Sequence, residues 1–473
     1  MPRSNLLCFV MPLLYLGGAA SVLAQDMEEA DREARELEEP APEGVELELT
    51  DPDRNAQQPE WTESEAPAEE EQPEEEQPEE EERETFGDRF RRGELFGYVD
   101  AQGRFFPQPS TSDVPGVPVQ NDYWFNGSLA WEPGFFMNVT DTMNFELILF
   151  GRVDQHDRNR THGDIREGFF ELFLDEWSFG FGIHKVFWGV TESRHLVDII
   201  NQVDLVEDFN TDIKLGQAMI TTSYTNDKAG TFSLFAMSWA RHMVFPSPEG
   251  RPALSLPVDN SIRVYESRLK EGQIDVALRW SHTMAGFDWG LSYFFGTARD
   301  PQLYPAANSA GEPVLQPVYE LIQQGGLDAQ YTIEGLLLKL ETFVRGGQGP
   351  TFAAVTGGFE YTFYQANGSI VDIGVLLEYD YDGRNNNTFV VFKNDFFTAM
   401  RLSLSDPGST EFLAGAYIDS KDGSVAIIAE ASRRFGENWK ILLEGRGYIP
   451  QPDNILEVFR NDSQIQVDVE YHY

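Results

Sequence analysis

The chain has little cysteine, few basic residues and no long apolar run beyond its start. Its single cysteine, Cys8, lies in the first 24 residues, so the rest of the chain can form neither a disulfide nor a cysteine-based metal or nucleophile site. No run of 18 or more apolar residues follows residue 25, which excludes a helical membrane protein. The 35 basic against 79 acidic residues give a net charge of −44, which would repel the phosphate backbone of nucleic acids.

Two segments precede residue 86. Residues 1–24 are predicted to be a secretory signal peptide, because Arg3 precedes a short apolar core and Val22-Leu23-Ala24 provides a small-residue cleavage site. Residues 25–85 contain 27 acidic and four basic residues. Such a segment cannot bury enough apolar surface to offset the entropy of ordering it, so we expect a disordered, extended arm. This acidic arm is either a solvated spacer or a docking segment.

From Phe86 to Tyr473, apolar and polar residues alternate. In residues 464–473 every odd position is apolar or aromatic and every even position is polar. The same period recurs in 274–280, 336–345 and 439–449, and it indicates strands with one apolar face. We count about 18 such segments, with 16 to 18 plausible, joined alternately by short and mostly longer connections.

This pattern predicts an all-β domain over 86–473, a transmembrane antiparallel up-and-down β-barrel. A soluble sandwich or propeller would show the same alternation. The barrel is favoured because aromatic residues recur at the ends of the apolar faces, as in the interfacial belts of membrane proteins. Examples are Trp131, Trp177, Tyr379, Trp439 and Tyr471.

With its signal, its asymmetric hairpins and its final aromatic residue, the chain resembles the porin-like outer-membrane barrels of Gram-negative bacteria. The resemblance implies an outer-membrane location with the acidic arm in the periplasm, and contact with lipid and lipopolysaccharide. It also implies that Val469, Tyr471 and Tyr473 are recognised by the barrel-assembly machinery. Residues 185–189 and 198–204 are similar to a signature of large proteobacterial porin-like barrels. The constriction-loop motif of general trimeric porins is not evident, which leaves the subunit number open, a homo-oligomer included.

If the apolar face meets lipid, the opposite face lines the interior. A barrel of this width holds water unless a loop or the arm enters it. Carboxylates on its wall would attract cations, or would pair with bases on neighbouring strands. The predicted selectivity groups are Asp100, Arg104, Glu146, Arg152, Asp275, Arg279, Glu341, Arg345, Glu378, Glu444, Arg446, Asp468 and Glu470.

The connection 190–214 is the candidate constriction. It is long, follows the fifth strand, and contains an apolar run, Leu196–Ile200, that needs burial and could form a short helix. The barrel wall is the nearest place for that run, although a lid over the mouth or a contact between subunits would also bury it. Its predicted site residues are Glu192, Arg194, Asp198, Asp204, Glu207, Asp208 and Asp212.

These features predict passive diffusion of small hydrophilic, cation-preferring solutes through a barrel narrowed by the 190–214 loop. The alternative is a non-conducting scaffold whose arm tethers periplasmic partners or spaces the barrel from the cell wall. We expect no catalysis, because Ser193 and His195 form the only tempting cluster and no hydrolase motif accompanies them. We expect no cofactor and no metal site.

Overall fold

The computed structural model describes residues 86–110, 122–209, 212–384 and 388–473. The expected signal peptide and acidic arm lie outside the described residues. A six-residue helix, α1 (Phe86–Arg91), precedes the first strand. The helices within the described ranges lack the length and hydrophobicity that a membrane-spanning helix needs.

The described residues contain strands β1 to β21. Their bounds are Glu94–Phe105, Phe125–Thr140, Met143–Asp154, His162–Leu174, Trp177–His184, Gln217–Asn226, Gly230–Met237, Val264–Tyr265, Asp275–Met284, Phe287–Thr297, Gln302–Ala307, Pro313–Tyr319, Leu321–Ile333, Leu336–Gly347, Gly349–Phe363, Val371–Asp382, Asn394–Leu404, Glu411–Asp419, Val425–Phe435, Trp439–Ile449 and Gln464–His472. Short 3-10 turns lie at Asn260–Ile262, Lys270–Gly272, Ala366–Gly368 and Ile455–Phe459.

Eighteen of these strands form one closed antiparallel barrel. Each barrel strand pairs with the next, and β1 also pairs with β21, where Tyr98 lies opposite His472. Closure leaves no unpaired sheet edge. The predicted up-and-down barrel of about 18 strands is thus confirmed, and the sandwich and propeller alternatives are excluded.

The two ends of the barrel differ. At the turn end, tight hairpins join the strands; in one of them Ala285 and Gly286 have φ of 49° and 81°, as a two-residue hairpin with a type I′ turn requires. At the loop end the connections are mostly long. There β8, β11 and β12 form a separate three-stranded sheet within the long connections from β7 to β9 and from β10 to β13.

The barrel wall has apolar side chains outside and charged side chains inside, the reverse of the distribution in a soluble protein. The outer face exposes apolar side chains such as Val99, Leu129, Ile220, Leu278 and Val344, with Trp131, Trp177, Trp439 and Tyr471 among its exposed aromatics. The carboxylates of Asp100, Glu341, Glu378 and Asp380 are buried inside. Charged residues are seldom buried without partners, so the interior must contain groups that satisfy them.

Candidate functional site

The connection between β5 and β6, residues 185–216 and here named the β5–β6 segment, bonds to interior-facing side chains of the barrel. Its residues 185–209 and 212–216 are described. The carboxylate of Glu341 on β14 accepts hydrogen bonds from the backbone N–H groups of Val190 (2.7 Å), Thr191 (3.0 Å) and Val197 (3.1 Å). The hydroxyl of Thr191 lies 2.7 Å from the same carboxylate. These donors compensate the burial of a full charge.

A second interior carboxylate, Glu378 on β16, binds the next two residues of the segment. It accepts from the backbone N–H of Glu192 at 3.0 Å and of Ser193 at 2.8 Å. The hydroxyl of Ser193 lies 2.7 Å from Glu378 and 3.1 Å from Asp380, and Tyr417 donates to the Ser193 carbonyl at 2.9 Å. Glu341 and Glu378 therefore hold five backbone N–H groups in place, those of residues 190–193 and of Val197.

Later residues of the segment are held by basic groups on the opposite part of the wall. The guanidinium of Arg166 donates to Asp204 at 2.7 Å, and that of Arg152 donates to Glu207 at 2.8 Å. Burial by itself would raise the pKa of Asp204, but His162 and Arg166 outweigh burial and hold that pKa below its usual value. Asp204 is therefore ionised at neutral pH, as these bonds require.

A hydrophobic cluster inside the barrel joins the segment to strand side chains. Its segment members are Trp188, Val197, Ile199 and Ile200, and its strand members include Phe169, Phe235, Phe294 and Ile322. The apolar run 196–200 is thus buried, as its composition demands. The expected short helix there is wrong: the run adopts turns and bends, and the N–H of Val197 donates to Glu341 in place of a helical carbonyl.

Ion pairs surround the last part of the segment. The ammonium of Lys214 lies 3.2 Å from Asp198. Burial raises the pKa of Asp198, and Lys214 offsets that rise only in part. Arg446 on β20 pairs with both Asp208 of the segment and Glu444 of its own strand.

His195 lies between two carboxylates. Its Nε2 is 3.4 Å from Asp212, and its Nδ1 is 3.9 Å from Glu341. Burial lowers the pKa of His195, but these two negative groups outweigh burial and raise the pKa to about 10. The hydroxyl of Ser193 hydrogen-bonds to Glu378 and not to the His195 imidazole, so Ser193 and His195 are not arranged as a nucleophile and its base.

A cavity of about 730 Å³ lies inside the barrel against one side of the segment. We name it the turn-side cavity, because it extends towards the turn end, where Glu411 and Lys440 line it. Eleven carboxylates and six basic side chains line it. The carboxylates are Asp100, Glu132, Glu192, Glu207, Asp208, Asp212, Glu411, Glu430, Glu444, Asp468 and Glu470; the bases are Arg152, Arg166, Lys185, Lys214, Arg401 and Lys440.

A smaller loop-side cavity of about 260 Å³ lies on the other side of the segment. Long connections supply part of its lining, for example Phe389 and Phe459. Lys214 and Glu430 line both cavities, so the segment and β19 both contribute to the boundary between them.

The other predicted interior residues take local partners. These pairs are Arg104 with Gln466, Asp275 with Arg299, Arg279 with Asp328, Arg345 with Asp300, Arg194 with Asp382, Asp468 with Gln102, and Glu470 with His472. Glu146 lies on β3 but lines neither the turn-side nor the loop-side cavity. Asp275, Arg279 and Arg345 lie apart from the turn-side cavity, so the structure does not bring the whole predicted set together.

The last strand closes the barrel. In β21, Val469 lies opposite Ala101 and Tyr471 opposite Val99 of β1, and the N–H of Tyr473 donates to the Gly97 carbonyl at 3.1 Å.

Sequence reasoning missed several interior residues, among them Glu132 and Arg166. Arg166 and Glu167 are consecutive, yet both are buried, because the pairing register shifts between Ile148 and Leu149 of the neighbouring strand. Such an irregularity breaks the two-residue period on which the prediction relied. Within the described ranges, no group of three or more His, Cys, Asp or Glu residues is arranged to hold a metal ion.

The sequence matches no protein-family model and no curated protein. Several solved outer-membrane barrels are similar to the folded chain. Wzi of Escherichia coli, an outer-membrane protein involved in group 1 capsule assembly and a carbohydrate-binding β-barrel, is 10% identical, with a TM-score of 0.46 over 79% of this chain and 83% of that chain. OprB of Pseudomonas putida is 12% identical, with a TM-score of 0.39 over 80% and 94% of the two chains. OmpF of Salmonella typhi, in complex with daunomycin, is 11% identical, with a TM-score of 0.40 over 80% and 97%. These likenesses concern the barrel fold alone.

Proposed function

We propose that the protein is an outer-membrane channel for passive diffusion of small hydrophilic solutes, that it prefers cations, and that the β5–β6 segment narrows its lumen. The closed barrel with an apolar outer face supports a membrane location, because that face would be costly to leave in water. In this proposal the acidic arm lies in the periplasm, and the chain meets lipid and lipopolysaccharide.

The observation that carries the proposal is the excess of carboxylates around the turn-side cavity, eleven against six bases. Within the described residues, Glu132, Glu411 and Glu430 line this cavity without an ion-pair partner, so their charge acts on the solvent inside it. A concave site whose lining has an excess of one sign of charge concentrates ions of the opposite sign. In this proposal small cations are enriched in the turn-side cavity, next to the narrow position.

The narrowing itself is supported by the bonds from Glu341 and Glu378 to the segment. A loop held at many points cannot swing aside easily, so it would exclude solutes by size. Lys214 and Glu430, which line both cavities, are the proposed narrowest position.

The last strand has a separate proposed role. Val469, Tyr471 and Tyr473 are proposed as the signal that the barrel-assembly machinery recognises, since Tyr471 and Tyr473 are exposed beside the seam with β1.

Planar-bilayer recording of the full chain tests the channel proposal. Under a KCl gradient, the reversal potential should show cation preference, and the double variant E411Q/E430Q should move it towards zero, since two unpaired lining charges are lost. The matched control is E334Q, which neutralises an exposed carboxylate in a turn between β13 and β14. Anion preference would contradict the proposal. A complete absence of conductance would favour the scaffold, which in turn predicts that removing residues 25–85 abolishes partner binding.

A further inference from the structure

Two large apolar side chains of the β5–β6 segment are exposed in the barrel interior. Phe187 is 58% exposed and Ile213 is 39% exposed, and both line the turn-side cavity. The chain neighbour Trp188 is buried inside the barrel, and the neighbour Lys214 pairs with the buried Asp198, so membrane lipid cannot cover these two side chains. Covering apolar surface in a water-filled site with an apolar solute lowers the free energy, so such a surface favours binding of that solute.

The ring of Phe187 is accessible from more than one direction. It makes a perpendicular contact with the His195 ring at a centroid distance of 4.8 Å. It also lines a third cavity, of about 480 Å³, whose lining includes Asp288 and Asp328. An aromatic ring between two cavities is placed where a passing solute would stack on it.

The ring contacts the protonated His195, but the cavity that Phe187 lines carries a net negative charge, with eleven carboxylates against six bases. Among the described residues, Glu411 and Glu430 of that lining have no base in contact. An aromatic face attracts a cation through its quadrupole, and the carboxylates add a Coulombic attraction of the same sign. A neutral ring-shaped solute such as a sugar would gain from stacking but not from the charge.

We propose that the turn-side cavity binds small organic cations with an apolar or aromatic body, which stacks on Phe187 while the charged group faces the carboxylates. Its volume of about 730 Å³ suits such a molecule, since small-molecule sites span about 300–1,000 Å³. The inference rests on the proposed channel function in one respect: the bound cation is a transported solute.

Calorimetric titration of the detergent-solubilised full chain tests the binding. Benzyltrimethylammonium carries both charge and ring, tetramethylammonium has the charge alone, benzenesulfonate has a ring with opposite charge, and maltose is neutral. We expect benzyltrimethylammonium to bind most tightly, and F187A to weaken it by roughly three- to tenfold, as loss of a cation–π contact would. F187L, which keeps apolar bulk, should lie between F187A and the unaltered chain.

The matched control is F181A on the outer face of β5, where Phe181 is 52% exposed; it should leave affinity unchanged. Equal affinity for the two ammonium ions, tighter binding of benzenesulfonate or maltose, or unaltered affinity in F187A and F187L would overturn the inference. Titration needs no ion flow, so the two proposals fail separately. If the chain conducts with cation preference and F187A leaves the affinity unchanged, the channel proposal stands and the binding site is refuted. If the chain does not conduct but binds the aromatic cation, the binding site stands and the channel proposal is refuted.

Discussion

Replacing Glu341 should loosen one part of the β5–β6 segment and leave the barrel intact. The fully buried carboxylate of Glu341 accepts from the N–H groups of Val190, Thr191 and Val197. In E341Q one carboxylate oxygen becomes an NH2 group. Whichever way the amide turns, at least one of these three N–H groups then faces another donor.

The expected size of the effect follows from those bonds. A hydrogen bond to a charged group contributes about 1.5–3 kcal/mol, and a buried donor left without a partner costs about 1–3 kcal/mol. For E341Q, which loses the charge and at least one bond, we expect local opening to become easier by about 2–4 kcal/mol. That corresponds to an increase of roughly 30- to 1,000-fold in the population of the open form. E341A removes every one of these bonds and should have the larger effect.

Amide hydrogen exchange measures this opening directly, because protected amides exchange through local unfolding. Exchange at Val190, Thr191 and Val197 should accelerate in E341Q and further in E341A. Amides of the paired barrel strands should change little, and E334Q, in an exposed turn, should leave all rates unchanged. If both Glu341 variants keep the native protection at these three amides, then the carboxylate does not hold the segment and the reasoning is wrong.

Two further changes should affect the segment through other contacts. The pKa of His195 is raised to about 10 from an ordinary 6.5, so its protonated ring stabilises the position of the β5–β6 segment fully below pH 6.5. This contribution is lost as the pH rises through 10. The noise of the ionic current should therefore grow above pH 10, and H195Q should remove this pH dependence. I200A removes fully buried apolar volume from the interior cluster and should lower the local stability of the segment by about 2–5 kcal/mol. The segment should then be cleaved faster by proteases. V344A on the outer face should leave the cleavage rate of the segment unchanged.

The strands of the barrel were largely predictable, because a two-residue period is a local property of the sequence. The segment 439–449 was predicted with the bounds that β20 has, and the long connection after the fifth strand was found as well. The small sheet was missed, since β8 has only two residues and pairs in parallel with β12, more than fifty positions away. Pairing at that distance leaves no periodic pattern in either segment.

The content of the interior was harder to predict. Alternation indicates two faces, and it led to the expectation of a polar inner face. Phe169, Phe235 and Phe294 nevertheless lie on the inner face. They are buried there because they pack in one hydrophobic cluster with Val197 and Ile200 of the segment. Whether an inward phenylalanine is wetted or buried depends on a loop far away in the sequence, so a strand-by-strand analysis could not decide it.

The interior carboxylates therefore divide into two classes that look alike in the sequence. Glu341 and Glu378 are buried and accept backbone N–H groups, so their charges are neutralised locally and act little on a solute. Glu411 and Glu430 line the turn-side cavity without a base in contact among the described residues, so their field extends into its water. Counting acidic residues on the inner face consequently overestimates the charge that a solute meets. In the proposed channel, the cation preference should depend on the second class, and the rigidity of the proposed narrow part on the first.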